Sequence, residues 1–157
     1  GIDFIGFVFF GLIKVKGEPF VIEYNVRLGD PETEVIIPRL KTDMVSLFKA
    51  AVNGKLKEID VAFDQRAATT VMLVSGGYPE AYEKGKRITG IETVRDSIVF
   101  HAGTKIDGNA VLSNGGRVLA VTSYGDTVQQ ALQKSYKSIA SISFDTMNYR
   151  RDIGFDL

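Results

Sequence analysis

Val21-Ile22-Glu23-Tyr24-Asn25-Val26-Arg27-Leu28-Gly29-Asp30-Pro31-Glu32-Thr33 is the stretch on which the reading turns. Polar and apolar residues alternate through Arg27, the period of a half-buried strand. Side chains two apart on a strand share a face. Glu23, Asn25 and Arg27 are therefore expected on one face, with Ile22, Tyr24 and Val26 turned into a core. A carboxylate and an amide carbonyl are hard oxygen donors of the kind Mg²⁺ accepts. Arg27 adds a planar fork for phosphate or carboxylate. Gly29-Asp30-Pro31 ends the strand. Asp30 is expected to cap a short helix, with Pro31 at its first position and Pro38 interrupting it. The start of that helix offers backbone N–H groups to an anion. A solvated strand face with incidental polar residues is the alternative, and periodicity alone leaves it open.

Upstream, Phe4 to Val15 is rich in β-branched and aromatic residues. With Phe20 to Arg27 it predicts an antiparallel hairpin joined by Lys16-Gly17-Glu18-Pro19, a four-residue connection. Downstream, Met44, Val45, Leu47, Phe48 and Val52 recur at helical spacing, which predicts a helix over Thr42 to Val52 stopped by Gly54. Lys55 to Arg66 is polar, and the domain boundary is expected there, dividing the chain into 1–60 and 61–157. The second part is expected to be β-rich. Strands are predicted at Ala67–Val74, Arg87–Glu92, Ser97–His101, Ala110–Leu112 and Arg117–Thr122, punctuated by glycines. A closing helix is predicted over Thr127 to Ile142, capped by Asp126, with Val128, Ala131, Leu132, Ser135, Ile139 and Ile142 on one face. The fold class expected is α+β.

Composition bounds the partners. The 157 residues carry 19 Lys+Arg against 19 Asp+Glu, so no broad basic surface is expected and no nucleic-acid partner. No cysteine is present, which excludes disulfides, thiolate metal sites and a cysteine nucleophile. His101 is the only histidine, which excludes a multi-histidine metal site within one chain. No apolar run approaches the ~18–20 residues that span a bilayer, so no membrane partner is expected. The chain opens at Gly1 inside a strand pattern without a signal-like segment. A fragment of a longer cytoplasmic protein is the expectation.

Glu23 to Thr33 resembles the signature of the phosphoribosylamine–glycine ligase family, within the ATP-grasp superfamily. The Glu-x-Asn-x-Arg core at Glu23, Asn25 and Arg27 is shared by several ATP-grasp enzymes. The continuation Gly29-Asp30-Pro31-Glu32-Thr33 is more specific. Phe9-Phe10-Gly11-Leu12-Ile13 resembles the preceding family strand. Gly76-Gly77-Tyr78-Pro79, Tyr82-Glu83-Lys84-Gly85, Phe100-His101-Ala102-Gly103-Thr104, Gly115-Gly116-Arg117-Val118-Leu119 and Tyr149-Arg150-Arg151-Asp152-Ile153-Gly154 match its carboxy-terminal region in order.

The resemblance implies the end of an ATP-grasp domain followed by a small carboxy-terminal domain. It implies an ATP-dependent ligase joining glycine to 5-phosphoribosylamine through a glycyl phosphate, in purine biosynthesis. ATP would be the co-substrate. Glu23 and Asn25 would be ligands of Mg²⁺ or Mn²⁺, Arg27 would stabilise phosphate charge, and Asp30 and Glu32 would bind or orient the amine-bearing substrates. The family's amino-terminal part and nucleotide lobe have no counterpart here, and no glycine-rich phosphate loop replaces them. Phe7 to Ile13 carries no acid to add to the metal shell. The chain alone is therefore expected to be inactive, with the amino-terminal part of the same enzyme as its partner. Another ATP-grasp carboxylate–amine ligase, or a non-catalytic lobe, are the rival readings.

Other polar groups have ordinary structural explanations beside functional ones. His101 is a proton carrier or a packing histidine. Gly115-Gly116-Arg117 is a phosphate turn or a hairpin turn. Arg150-Arg151-Asp152 is a substrate-phosphate contact or a surface ion-pair network. Lys84-Gly85-Lys86-Arg87 reads as a solvated basic turn.

Overall fold

The structure, a computed structural model, describes residues 1–155. The chain divides into two compact units, Gly1–Asp64 and Gln65–Leu157.

In the first unit, β1 (Phe9–Val15) and β2 (Glu18–Asn25) form an antiparallel hairpin. The connection is shorter than the sequence suggested. Lys16 and Gly17 alone make the turn, with φ of 52° and 93°. Two successive positive φ values are what a twisted two-residue hairpin turn needs, and this releases Glu18 and Pro19 into the strand. Gly11 faces Glu23, but Leu12 faces Val21, so Ile22 is the extra residue of a β-bulge. The expected burial of Ile22, Tyr24 and Val26 does not hold, for they are 65%, 65% and 70% exposed. Alternation fixes which residues share a face. It does not supply a second layer to cover that face, and the elements of this unit leave it open.

α1 (Thr33–Arg39) and α2 (Met44–Val52) follow. The start of α1 differs from the expectation. The Asp30–Pro31 peptide is cis, and the cap position falls at Glu32, which makes no side-chain cap hydrogen bond. Thr33 N donates to Gly29 O at 3.0 Å and Thr33 Oγ1 to the same oxygen at 2.6 Å. Glu34 N donates to Pro31 O, and Val35 N to Glu32 O. The N–H groups expected to face an anion are thus spent on the turn itself. Pro38 lies inside α1, which ends one residue later. α2 is capped by Asp43, whose Oδ2 accepts from Ser46 N at 2.7 Å. It closes at Gly54 (φ 68°), with Gly54 N to Ala51 O and Lys55 N to Ala50 O, the paired bonds of a Schellman ending. A strand-like return follows, with Leu40 bridged to Phe63 and the Arg39 guanidinium on Asp64 O.

The second unit holds the well-packed core. β3 (Ala67–Val74), β8 (Arg117–Gly125) and β5 (Ile98–His101) form one antiparallel sheet in the order β3-β8-β5. β4 (Arg87–Ile88), β7 (Ala110–Ser113) and β6 (Thr104–Asp107) form another in the order β4-β7-β6. α3 (Val128–Ile139) packs on β3 and β8. Val71, Leu73, Leu119, Val121 and Ile139 are fully buried between them. Ser97 Oγ lies 2.7 Å from both Ser123 Oγ and Ser138 Oγ, and Ser135 Oγ donates to Ser123 Oγ at 2.9 Å. This hydroxyl chain satisfies the polar groups that α3 buries on β8.

Three expectations are corrected here. The strand predicted over Arg87–Glu92 stops at Ile88, because Gly90 adopts φ 85° with its Cα against the Ser141 carbonyl. The α3 cap is Thr127, not Asp126: Thr127 Oγ1 accepts from Gln130 N at 3.2 Å, while Gln130 Oε1 turns back to Asp126 N at 3.0 Å. The helix stops at Ile139, so Ile142 reaches the core from the turn beyond it. β6 had no signal of its own. Its alternation is short and its residues are mostly exposed.

Candidate functional site

The hairpin register decides what the signature residues do. Cross-strand partners in an antiparallel pair share a face. Phe9 faces Asn25 and Gly11 faces Glu23, so these four residues lie on one face beside the bulge at Ile22. Asn25 Nδ2 donates to Glu23 Oε1 at 3.1 Å. Glu23 is exposed and Asn25 half-buried.

A half-turn of the Asn25 amide exchanges its oxygen and nitrogen positions. The amide oxygen and the Glu23 carboxylate are then two neighbouring hard oxygen donors of the kind a Mg²⁺ or Mn²⁺ shell accepts. Among the described residues, no group of three or more His, Cys, Asp or Glu side chains is gathered to hold a metal ion. Such a shell needs its other ligands from water and from substrate phosphates, the usual arrangement for Mg²⁺.

The structure brings Glu23 and Asn25 together but leaves Arg27 out of that pair. β2 ends at Asn25, and Arg27 Nη1 donates to Leu28 O at 3.0 Å. Arg27 lines an open cleft of about 620 Å³ with Phe4, Phe7, Thr33, Phe48 and Val52. Asp30 and Glu32 are both exposed. The Glu32 carboxylate rests on Gly29: a Cβ there would collide with its Oε2, would stand 2.9 Å from its Cδ, and would lie 3.1 Å from the Phe9 ring. Sequence reasoning missed the two glycines that make room for these acids, Gly11 and Gly29. Only the observed register, shifted by the bulge, sets Gly11 opposite Glu23.

The other candidates have partners or close neighbours within the second unit. His101 Nδ1 lies 3.0 Å from Thr104 Oγ1, across the turn between β5 and β6. Gly115 passes against Gly103, and Gly116 lies under the Tyr78 ring, so both are glycines because backbone or ring approaches too closely for a side chain. Arg150 Nε meets Asp152 Oδ1 at 3.0 Å and holds that carboxyl below its ordinary range. Both side chains are well exposed, so the pair adds little stability. Lys86 is not merely solvated. It reaches Glu83 at 2.6 Å and Asp145 at 3.0 Å, and these two carboxylates raise its pKa. No helix among the described residues is long and apolar enough to cross a membrane.

The comparisons with known proteins bear on the same residues. The family described as phosphoribosylglycinamide synthetase, C domain, matches residues 68–156. A phosphoribosylamine–glycine ligase from Chlorobaculum tepidum is 46% identical over 98% of this chain, which covers 37% of that relative. One from Vibrio cholerae is 46% identical over 99% of the chain, again 37% of the relative. The crystal structure of a phosphoribosylamine–glycine ligase from Thermotoga maritima is matched with a TM-score of 0.77 and 37% identity, over 92% of this chain and 36% of that one. The chain thus spans a little over a third of the length of these relatives.

Proposed function

The chain belongs to the phosphoribosylglycinamide synthetase C-domain family, and from that premise we propose that it serves as the carboxy-terminal part of an ATP-dependent ligase that joins glycine to 5-phosphoribosylamine. The product is glycinamide ribonucleotide, in purine biosynthesis, and the setting is the cytoplasm. The observation that carries this reading is the 46% identity to such ligases across 98% of the chain.

The chemistry runs in two displacements. A glycine carboxylate oxygen attacks the γ-phosphorus of ATP, and ADP leaves. The ribosylamine nitrogen then attacks the carbonyl carbon of the glycyl phosphate, loses a proton, and expels phosphate carrying one former carboxylate oxygen. A bound Mg²⁺ or Mn²⁺ would neutralise charge on the ATP phosphates as the phosphoryl group moves. Glu23 supplies an anionic oxygen to that ion and Asn25 a neutral one. Arg27, on a backbone just past the strand, has its remaining guanidinium N–H groups to present to phosphate oxygens. Asp30 and Glu32 offer carboxylates to the substrate amines. The nucleotide pocket and the amino-terminal portion belong to the remainder of the ligase.

The reading is tested with glycine labelled with ¹⁸O in its carboxylate. The complete ligase carrying this chain should release phosphate containing one ¹⁸O per turnover. Unlabelled phosphate in a reaction that still yields glycinamide ribonucleotide would refute the acyl-phosphate route. The chain by itself should form no product.

A further inference from the structure

Gly11 is not a glycine for the sake of its backbone. Its φ lies outside the left-handed region, unlike Gly17 or Gly54. A Cβ at this position would meet backbone atoms only at ordinary distances, Glu23 N at 3.6 Å and Glu23 O at 3.7 Å. The one close atom is the Glu23 side chain, with Cγ at 2.9 Å. The volume that any other residue would fill is occupied by the stem of Glu23. The bulge at Ile22 immediately precedes Glu23 and re-aims it across β1. From there its carboxylate meets Asn25 at 3.1 Å.

We propose that Gly11 is a positioning residue: its missing side chain is the seat that lets Glu23 fold over β1 and present its carboxylate beside Asn25. A methyl group at 11 pushes Cγ out of that seat. Glu23 must then take another staggered rotamer, which swings the carboxylate away from Asn25. The positioning role is independent of any metal. The consequence for metal binding rests on the ligase reading above.

The test is a cycle of Gly11→Ala, Glu23→Ala and the double variant in the complete ligase carrying this chain, with ¹⁵N-labelled asparagine. The Asn25 side-chain amide in the wild-type chain should resonate apart from its position in Glu23→Ala. Gly11→Ala should move it to the Glu23→Ala position while cross-strand contacts of β1 and β2 persist. The double variant should keep the hairpin as well as Glu23→Ala does, because the colliding stem is gone. In parallel, Mn²⁺ is titrated into the complete ligase with ATP bound and the broadening of the Asn25 amide followed, where Gly11→Ala should weaken binding about 10–100-fold, the range for lost support of a ligand. An unchanged Asn25 amide in Gly11→Ala overturns the proposal. So does loss of the hairpin in the double variant, which would make Gly11 a backbone requirement. So does a wild-type amide already at the Glu23→Ala position. A shifted amide with no Mn²⁺ broadening in the wild-type ligase with ATP bound supports the positioning role and refutes the metal reading instead.

Discussion

Replacing Glu23 by alanine separates chemistry from stability, and the structure sets both magnitudes. Glu23 is exposed, and its side chain makes one hydrogen bond, at 3.1 Å to Asn25 Nδ2. An exposed hydrogen bond of this kind contributes about 1 kcal/mol or less, and surface substitutions usually fall within about 0.5 kcal/mol. The thermal midpoint should hardly move. For catalysis the same change removes the only negative charge in the Glu23–Asn25 pair. Loss of one preorganised electrostatic partner in a phosphoryl or acyl transfer costs about 3 kcal/mol, which is roughly 10²-fold in rate. The assay is ADP release by the complete ligase, measured over a range of Mg²⁺ and Mn²⁺ concentrations, with a melting curve on the same samples. Glu23→Gln serves as the companion, since it keeps the size and loses the charge, and it should be nearly as slow. Turnover within about twofold of wild type in both variants would refute the metal role. Full loss of activity together with a collapsed melting transition would make Glu23 structural.

Other outcomes follow from the packing. Leu73→Ala removes a fully buried β3 side chain from the core that β3 and β8 share with α3 and should cost about 2–5 kcal/mol, read as a large drop in the thermal midpoint of the second unit. A change below about 1 kcal/mol would show that this core is not the one described. Gly29→Ala puts a methyl where the end of the exposed Glu32 side chain lies, so Glu32 should swing aside and the first unit should lose no more than about 1 kcal/mol in a melting experiment. Asp43 caps α2, and the Ser46 backbone N–H, then its hydroxyl, hold the carboxyl below its ordinary value. A depressed folded pKa gives stability that is present above the unfolded value near 4 and lost as pH falls through the folded value. The helical circular dichroism of wild type and Asp43→Ala should therefore differ at neutral pH and converge in acid; a gap that persists in strong acid would contradict the cap.

Much of the second unit was legible because its signals are local. β3 has the bounds its β-branched run predicts, Ala67–Val74, and the apolar face of α3 is the one that buries Ala131, Leu132, Ser135 and Ile139. The errors arose where two neighbours can serve one purpose or where tertiary contact decides. Asp126 and Thr127 are both good caps, and the extended backbone at Thr127 with Gln130 three residues on selects the second. Gly90 is a turn glycine because the Ser141 carbonyl lies against it, a contact made across 51 residues of chain. In the first unit the pattern told which side chains share a face, but Ile22, Tyr24 and Val26 need a covering layer that alternation cannot reveal. For the site, Glu23 and Asn25 were legible as a spacing of two. The bulge, the Gly11 seat and the release of Arg27 beyond the end of β2 depend on cross-strand register and were not.

The most direct test of the account is ADP release by the complete ligase carrying this chain, with glycine and 5-phosphoribosylamine supplied together and singly. The account predicts sustained release only when both are present, at a rate that falls about 10²-fold in Glu23→Ala. Release that ignores glycine, or that requires a different carboxylate and amine, would contradict it.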